Sequence, residues 1–267
     1  FEFFPPKTTE GEEKLMHTVS ELATHNPEFF SVTYGAGGST QAGTFNAVAN
    51  IRAQGFEAAP HLSCVGATRA NTLNILDELK AQGVNRIVAL RGDLPSGMGG
   101  MGELAHASDL VALIREHSGD WFHISVAAYP EYHPQARTPQ DDLKHFVNKM
   151  QAGANTAITQ YFYNADAYAR FVEDVRAKGV NAPIIPGIMP ITNYSRLARF
   201  SETCGAEIPR WVLLKLASFG DDAESIKAFG QEVVAQLCER LVQLGAPSLH
   251  FYTLNQAEPS LGVLKSL

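Results

Sequence analysis

The sequence predicts an α/β protein, a single-domain (β/α)8 TIM barrel spanning residues 1–267, and three observations carry that expectation. Short apolar runs alternate with longer amphipathic ones along the whole chain, which means a parallel sheet covered by helices. Runs such as Ile87-Val88-Ala89-Leu90 and Ile184-Ile185 are apolar on both faces, as strands buried on both sides must be. The chain has 267 residues, and one such barrel takes roughly 250.

Phe1–Phe4 reads as the first strand, stopped by Pro5 and Pro6. The helix over Glu12–Ala23 sets Leu15, Met16, Val19 and Leu22 at helical spacing. Strands Phe29–Tyr34 and Phe56–Ser63 flank a helix over Thr40–Ala53. Helix Asn71–Ala81, strand Arg86–Arg91, helix Ser108–Glu116 and strand Phe122–Tyr129 follow. Thr138 or Pro139 opens the next helix, to about Ala152, before strand Thr156–Tyr163 and helix Ala165–Ala177. Pro183–Met189 is the seventh strand and Asn193–Thr203 its helix. Ile208–Asp222 reads as an insertion, Asp221–Leu244 as a longer helix and Leu249–Leu254 as the eighth strand. A doubly wound open sheet is the competing arrangement of this alternation.

Composition narrows the function. A net charge of −7 argues against nucleic acid as a partner. No apolar run is long enough to cross a membrane. Cys64, Cys204 and Cys238 are too few and too scattered for a disulfide framework, which points to a reducing, cytoplasmic setting. The sequence begins inside a strand without an initiator Met, so residues are expected upstream of Phe1.

Barrel enzymes carry their chemistry where strands end and loops begin. Polar residues recur there: Thr33 and Tyr34, His61, Arg91-Gly92-Asp93, Tyr129, Glu131 and His133, Gln160, Tyr252 and Asn255. Glu2 lies within a strand among Phe1, Phe3 and Phe4. Desolvation there should raise its pKa toward that of a general acid, and a buried ion pair with Arg91 is the alternative. His61 alone would read as a satisfied core histidine, and Arg91-Gly92-Asp93 alone as a turn.

Gly97-Met98-Gly99-Gly100-Met101-Gly102 matches the dinucleotide fingerprint by letter, but Leu94-Pro95-Ser96 parts it from the strand and no helix opens at its end. It reads as a loop over the site, and Gly35-Ala36-Gly37-Gly38 as a possible phosphate cradle. His61 and Cys64 have no second pair at ligand spacing, so no metal is expected. Two rivals stay open. One is a metal-dependent barrel hydrolase or lyase using His61, Asp93 and His133, and the other a binding protein without catalysis.

Taken in order, the rim motifs resemble one family. They are Phe1-Glu2-Phe3-Phe4-Pro5-Pro6, Ser31-Val32-Thr33-Tyr34-Gly35-Ala36, Ala59-Pro60-His61-Leu62 and Ala89-Leu90-Arg91-Gly92-Asp93. Ala127-Ala128-Tyr129-Pro130-Glu131, Ile158-Thr159-Gln160-Tyr161-Phe162, Pro186-Gly187-Ile188 and His250-Phe251-Tyr252-Thr253-Leu254-Asn255 complete them. This resembles methylenetetrahydrofolate reductase of the short bacterial type, across nearly the whole chain.

The resemblance implies a FAD-containing barrel that reduces 5,10-methylenetetrahydrofolate to 5-methyltetrahydrofolate for methionine synthesis. NADH, or NADPH, would be the electron donor, in a ping-pong scheme. It implies Glu2 as the general acid that protonates the folate, and Asp93 as the carboxylate beside flavin and pterin. It implies a FAD cradle of Tyr34, Ala36, His61, Arg91, Gly92, Asp93, Ala107, Tyr129, His133, Ala136, Asp142, His145, Asn148 and Lys149. It implies folate or nicotinamide contacts from Thr33, Asp93, Gln160, Arg196, Phe200, Tyr252 and Gln256. His106 stands where a tyrosine beside the flavin is usual, and His145, Asn148, Arg196 and Gln256 also depart from the family pattern. A homo-oligomer and the lack of a C-terminal regulatory domain are further expectations of the resemblance, under which the non-catalytic rival would be a folate- or flavin-binding protein.

Overall fold

The computed structural model describes residues 1–34, 41–92 and 102–267. They form two compact units, Phe1–Ala127 with His145–Ala157, and Ala128–Lys144 with Ile158–Leu267. Strands and helices alternate as the α/β expectation requires, and β1 to β7 follow one another in sequence order in a seven-stranded sheet.

In the first unit the strands are β1 (Glu2–Phe3), β2 (Phe30–Val32), β3 (Ala58–Ser63), β4 (Arg86–Leu90) and β5 (His123–Ala128), with parallel register throughout. The strand β1 is two residues long because Pro5 and Pro6 offer no N–H to a ladder. Phe3 stacks on Phe30 with ring centroids 5.6 Å apart, and Phe56 meets Phe30 edge-on at 5.7 Å. The helices are α1 (Thr9–Ala23), α2 (Gln41–Ala53), α3 (Arg69–Ala81), α4 (Ala107–Ser118) and α5 (Pro139–Gln151), the last continuing from the second unit. Thr8 and Thr68 cap α1 and α3 by accepting the Gly11 and Asn71 N–H groups, so the helices start three and two residues before Glu12 and Asn71, where the apolar spacing alone begins them.

In the second unit β6 (Thr156–Thr159) is followed by α6 (Ala165–Ala177). The expected seventh strand is split into β7 (Ile184–Ile185) and β8 (Gly187–Ile188). Pro186 lacks the N–H that would continue the ladder, but its carbonyl accepts the His250 N–H at 3.0 Å. The strand β8 thereby pairs in parallel with β9 (His250–Phe251), Gly187 opposite His250 and Ile188 opposite Phe251. Then come α7 (Tyr194–Cys204), α8 (Arg210–Ser218), α9 (Ala223–Gln243) and α10 (Glu258–Leu264). Two of these helices are absent from the sequence reading. The insertion at 208–222 contains α8, and α10 completes the eighth strand–helix unit.

The three cysteines form no disulfide, and burial pushes the Cys64 and Cys238 thiols up to about 11 and about 12. Among the described residues no helix is long and apolar enough to cross a membrane.

Candidate active site

The first unit brings Glu2, Thr33 and His61 to the ends of neighbouring strands. Glu2 is registered with Ser31 and Val32 with Pro60, so Thr33 and His61 each follow the last paired residue of that β2–β3 ladder. The Oε2 atom of Glu2 lies 3.5 Å from Ser31 Oγ and 3.3 Å from His61 Nε2. The histidine contact is within ion-pair range but out of line for a hydrogen bond. Among the described residues, His61 Nε2 and Thr33 Oγ1 are therefore buried polar atoms without a hydrogen-bond partner. Native interiors leave few such atoms, and a polar ligand at these strand ends is the economical explanation for two together.

Backbone at the end of β4 is fixed tightly. The Arg91 carbonyl accepts from Ser63 Oγ at 2.9 Å and from the Val65 N–H at 2.8 Å. Gly92 has φ +84°, and a Cβ there would fall 1.9 Å from Ser63 Oγ. Only glycine fits, and the chain is aimed by Ser63, a residue the sequence reading did not single out. Asp93 and Ala36 lie outside the described residues, as do the glycine segments at 35–38 and 97–101.

A cavity of about 90 Å³ opens beside His61, lined also by Tyr34, Gln41, Phe45, Ser63 and Asn71. Ala107 begins α4, and the Asp109 carboxylate accepts the His106 N–H at 2.9 Å. The ring of His106 sits 5.8 Å from that of His145, so two positions that depart from the family pattern are neighbours. The helix α5 carries Asp142, His145 and Lys149 on one face, with Asn148 beside them. Lys149 Nζ donates to the Ala127 carbonyl, which anchors its cation at the end of β5.

In the second unit the loop after β5 is pinned by side chains. Asp142 accepts the His133 N–H at 3.0 Å, and His133 Nδ1 accepts the Gln135 N–H at 3.1 Å. With Nδ1 accepting, the neutral ring carries its proton on Nε2 and offers a donor. Tyr129 meets His133 edge-on, ring centroids 4.6 Å apart, and Ala136 closes the turn on the His133 carbonyl.

Gln160 follows β6, and its Oε1 accepts the Tyr161 N–H at 3.0 Å. That bond orients the amide and leaves its NH2 as the group offered outward. Beneath it, Tyr252 donates its hydroxyl to the Thr159 carbonyl at 2.6 Å, and Thr159 Oγ1 accepts the Gly187 N–H at 2.9 Å. A Cβ on Gly187 would fall 2.2 Å from the Thr159 carbonyl oxygen and 2.6 Å from the Tyr252 ring. Tyr252 therefore spends its hydroxyl inside the protein, and what remains for a ligand is its ring. Arg196 and Phe200 lie one turn apart on the exposed face of α7, while Leu197 and Ser201 are buried on the other. Gln256 is exposed just beyond Leu254 and Asn255, both left-handed with φ 51° and 59°.

Among the described residues no group of three or more His, Cys, Asp or Glu side chains is arranged to hold a metal ion.

Comparison with known proteins gives the family. The family model for methylenetetrahydrofolate reductase matches residues 1–267. The 5,10-methylenetetrahydrofolate reductase of Escherichia coli (strain K12) is 41% identical over 268 residues, covering 100% of this chain and 89% of that protein. A probable methylenetetrahydrofolate reductase (NADH) of Oryza sativa subsp. japonica is 39% identical, with 100% of this chain and 47% of that protein covered. Among solved structures, an uncharacterized protein from Clostridium thermocellum, described as binding two copies of 5-methyl-5,6,7,8-tetrahydrofolic acid, superposes with a TM-score of 0.68. Its identity is 15%, over 100% of this chain and 92% of that one, so the likeness is one of fold alone. The family match sets aside both the metal-dependent hydrolase and the non-catalytic binding protein.

Proposed function

The chain belongs to the methylenetetrahydrofolate reductase family, and from that premise we propose that it works with FAD and a nicotinamide nucleotide, taking NADH and the folate in turn at one site. FAD, when bound, supplies hydride transfer between the nicotinamide donor and the folate. The observation that carries the reading is the pair of buried polar atoms, Thr33 Oγ1 and His61 Nε2, which have no hydrogen-bond partner among the described residues, with Glu2 3.3 Å from the histidine. Those atoms, the Cβ-free approach at Gly92 and the anchored cation of Lys149 fit a polar ring system with a diphosphate arm.

The proposed holders of FAD are Tyr34, Ala36, His61, Arg91, Gly92, Ala107, Tyr129, His133, Ala136, Asp142, His145, Asn148 and Lys149. Glu2 is held between Ser31 and His61 with its side chain 14% exposed, suited to deliver a proton to a folate ring nitrogen. Asp93 is proposed to steady the positive charge that develops on the folate. Gln160 offers its NH2 to acceptor atoms of whichever substrate is bound, and Thr33, Phe200, Arg196, Tyr252 and Gln256 are proposed as further contacts to the folate or the nicotinamide. The family match over residues 1–267 supports one catalytic barrel domain.

An anaerobic visible spectrum of the purified protein, taken before and after NADH, tests the cofactor. Oxidised-flavin bands that bleach with NADH are the expected result. A protein that stays colourless after incubation with FAD overturns the reading.

A further inference from the structure

Glu131 belongs to a rim motif, yet none of the proposed roles uses it. It sits in the loop between β5 and α5, next to Tyr132, which is strained into φ +75° and 55% exposed. Its Oε2 accepts the Glu207 N–H at 2.8 Å, a contact across 76 residues of sequence. Glu207 lies three residues beyond the end of α7.

Burial of the Glu131 carboxyl raises its pKa, the bond from the Glu207 N–H pulls it back in part, and the charge of Glu207 adds to the rise. A surface carboxylate gains nothing by leaving water to stand near a like charge, unless the backbone bond it makes has a use. A second contact lies beside it. Gly205, the left-handed cap of α7 with φ 72°, packs on Pro134 of the same loop, where a Cβ would lie 3.4 Å from the proline ring. Deeper in the unit, the buried Ser201 hydroxyl of α7 bonds the Tyr161 hydroxyl at 3.0 Å, and the Tyr161 N–H is the group that orients Gln160. The loop of Tyr129 and His133, the end of α7 and the Gln160 amide are thus joined by named bonds, and Glu131 supplies a polar link between the first two.

We propose that Glu131 is a positioning residue, whose carboxylate fixes the C-terminal end of α7 and thereby the placement of Phe200 and Arg196 against the folate. This rests on the reading of α7 as the folate-contacting helix. Glu131 itself touches no substrate. Its action depends on accepting a hydrogen bond, not on its charge, so glutamine should replace it and alanine should not.

The test uses the full chain with FAD, as wild type, Glu131→Gln and Glu131→Ala. For Glu131→Ala the KM for methylenetetrahydrofolate should rise about tenfold, with flavin reduction by NADH changed less than about twofold. For Glu131→Gln both should stay within about twofold of wild type. Hydrogen exchange of the amides at 201–209 reads the same bond without turnover, and should be faster in Glu131→Ala but not in Glu131→Gln. Glu131→Leu, similar in bulk and unable to accept, replaces alanine if that variant unfolds. An unchanged KM in Glu131→Ala, or a Glu131→Gln as impaired as alanine, overturns the proposal. Uniform exchange in all variants overturns it too. A wild type that reduces no folate but shows the expected exchange pattern removes the functional reading and leaves the bond between loop and helix standing.

Discussion

The two units prepare their candidate residues in opposite ways. In the first, Thr33 Oγ1 and His61 Nε2 are buried and lack a hydrogen-bond partner among the described residues. In the second, Gln160 is oriented by Tyr161, Tyr252 by Thr159, and His133 by Asp142 and Gln135. A polar ligand would offer partners to the first group, since a buried polar atom without one costs about 1–3 kcal/mol. The second is preset, with the entropy of its side chains given up on folding instead of on binding.

The largest effect should come from Glu2. Glu2→Gln removes the proton while keeping shape, so folate reduction should fall by about 10²–10⁴-fold. FAD binding and flavin reduction by NADH should persist, since neither needs that proton. Stopped-flow measurement of the two half-reactions separates them, and folate reduction within a few-fold of wild type would end the acid assignment.

Next in size is Gly187→Ala. The added Cβ meets the Thr159 carbonyl oxygen at 2.2 Å and the Tyr252 ring at 2.6 Å. Backbone on one side and a hydrogen-bonded ring on the other leave nowhere to yield. A loss of about 3 kcal/mol in urea unfolding is expected. A variant as stable as wild type would show that the second group is looser than its bonds suggest.

The comparison itself is broken or sharpened by two near-isosteric changes. Thr33→Val removes a hydroxyl that has no partner, so the ligand-free protein should gain about 1 kcal/mol while binding of FAD or NADH weakens. Tyr252→Phe leaves the Thr159 carbonyl without its donor, so it should lose about 1 kcal/mol. Thermal melts with and without FAD give both signs. Equal signs in the two variants would mean that the units do not differ as described.

Much of this was legible in the sequence, because it depends on local pattern. Strand–helix alternation, the proline stop after β1 and the polar residues at strand ends all come from residues a few positions apart. The parts that were not legible depend on distant contacts. The helix α8 was missed because Trp211 and Leu214 are exposed, 56% and 61%, so its apolar residues do not fall on one face. The seventh strand was read as continuous because β-propensity says nothing of Pro186 turning its carbonyl to His250. An ion pair with Arg91 is the alternative that composition offers for Glu2, and the contact with His61 is one that only the register of the strands reveals. Glu131 stood in a motif, but its bond reaches Glu207, which no spacing rule connects to it.

The smallest expected effect is a pH dependence at that same residue, and its sign is opposite to the usual carboxylate case. Burial raises the Glu131 pKa above the ordinary 4.5, outweighing the opposing bond from the Glu207 N–H, so folding favours the protonated carboxyl relative to the unfolded chain. Its stabilising contribution is full below about 4.5 and is lost as pH rises through the raised folded value. Glu131→Gln keeps an acceptor for the Glu207 N–H and carries no charge at any pH. Melting temperatures of wild type and Glu131→Gln should therefore coincide in mild acid, and the variant should become the more stable as pH rises toward neutrality. A variant less stable than wild type at neutral pH would mean that the ionised carboxylate, and not merely an acceptor, holds the end of α7, and the charge-independent role assigned to Glu131 would fail with it.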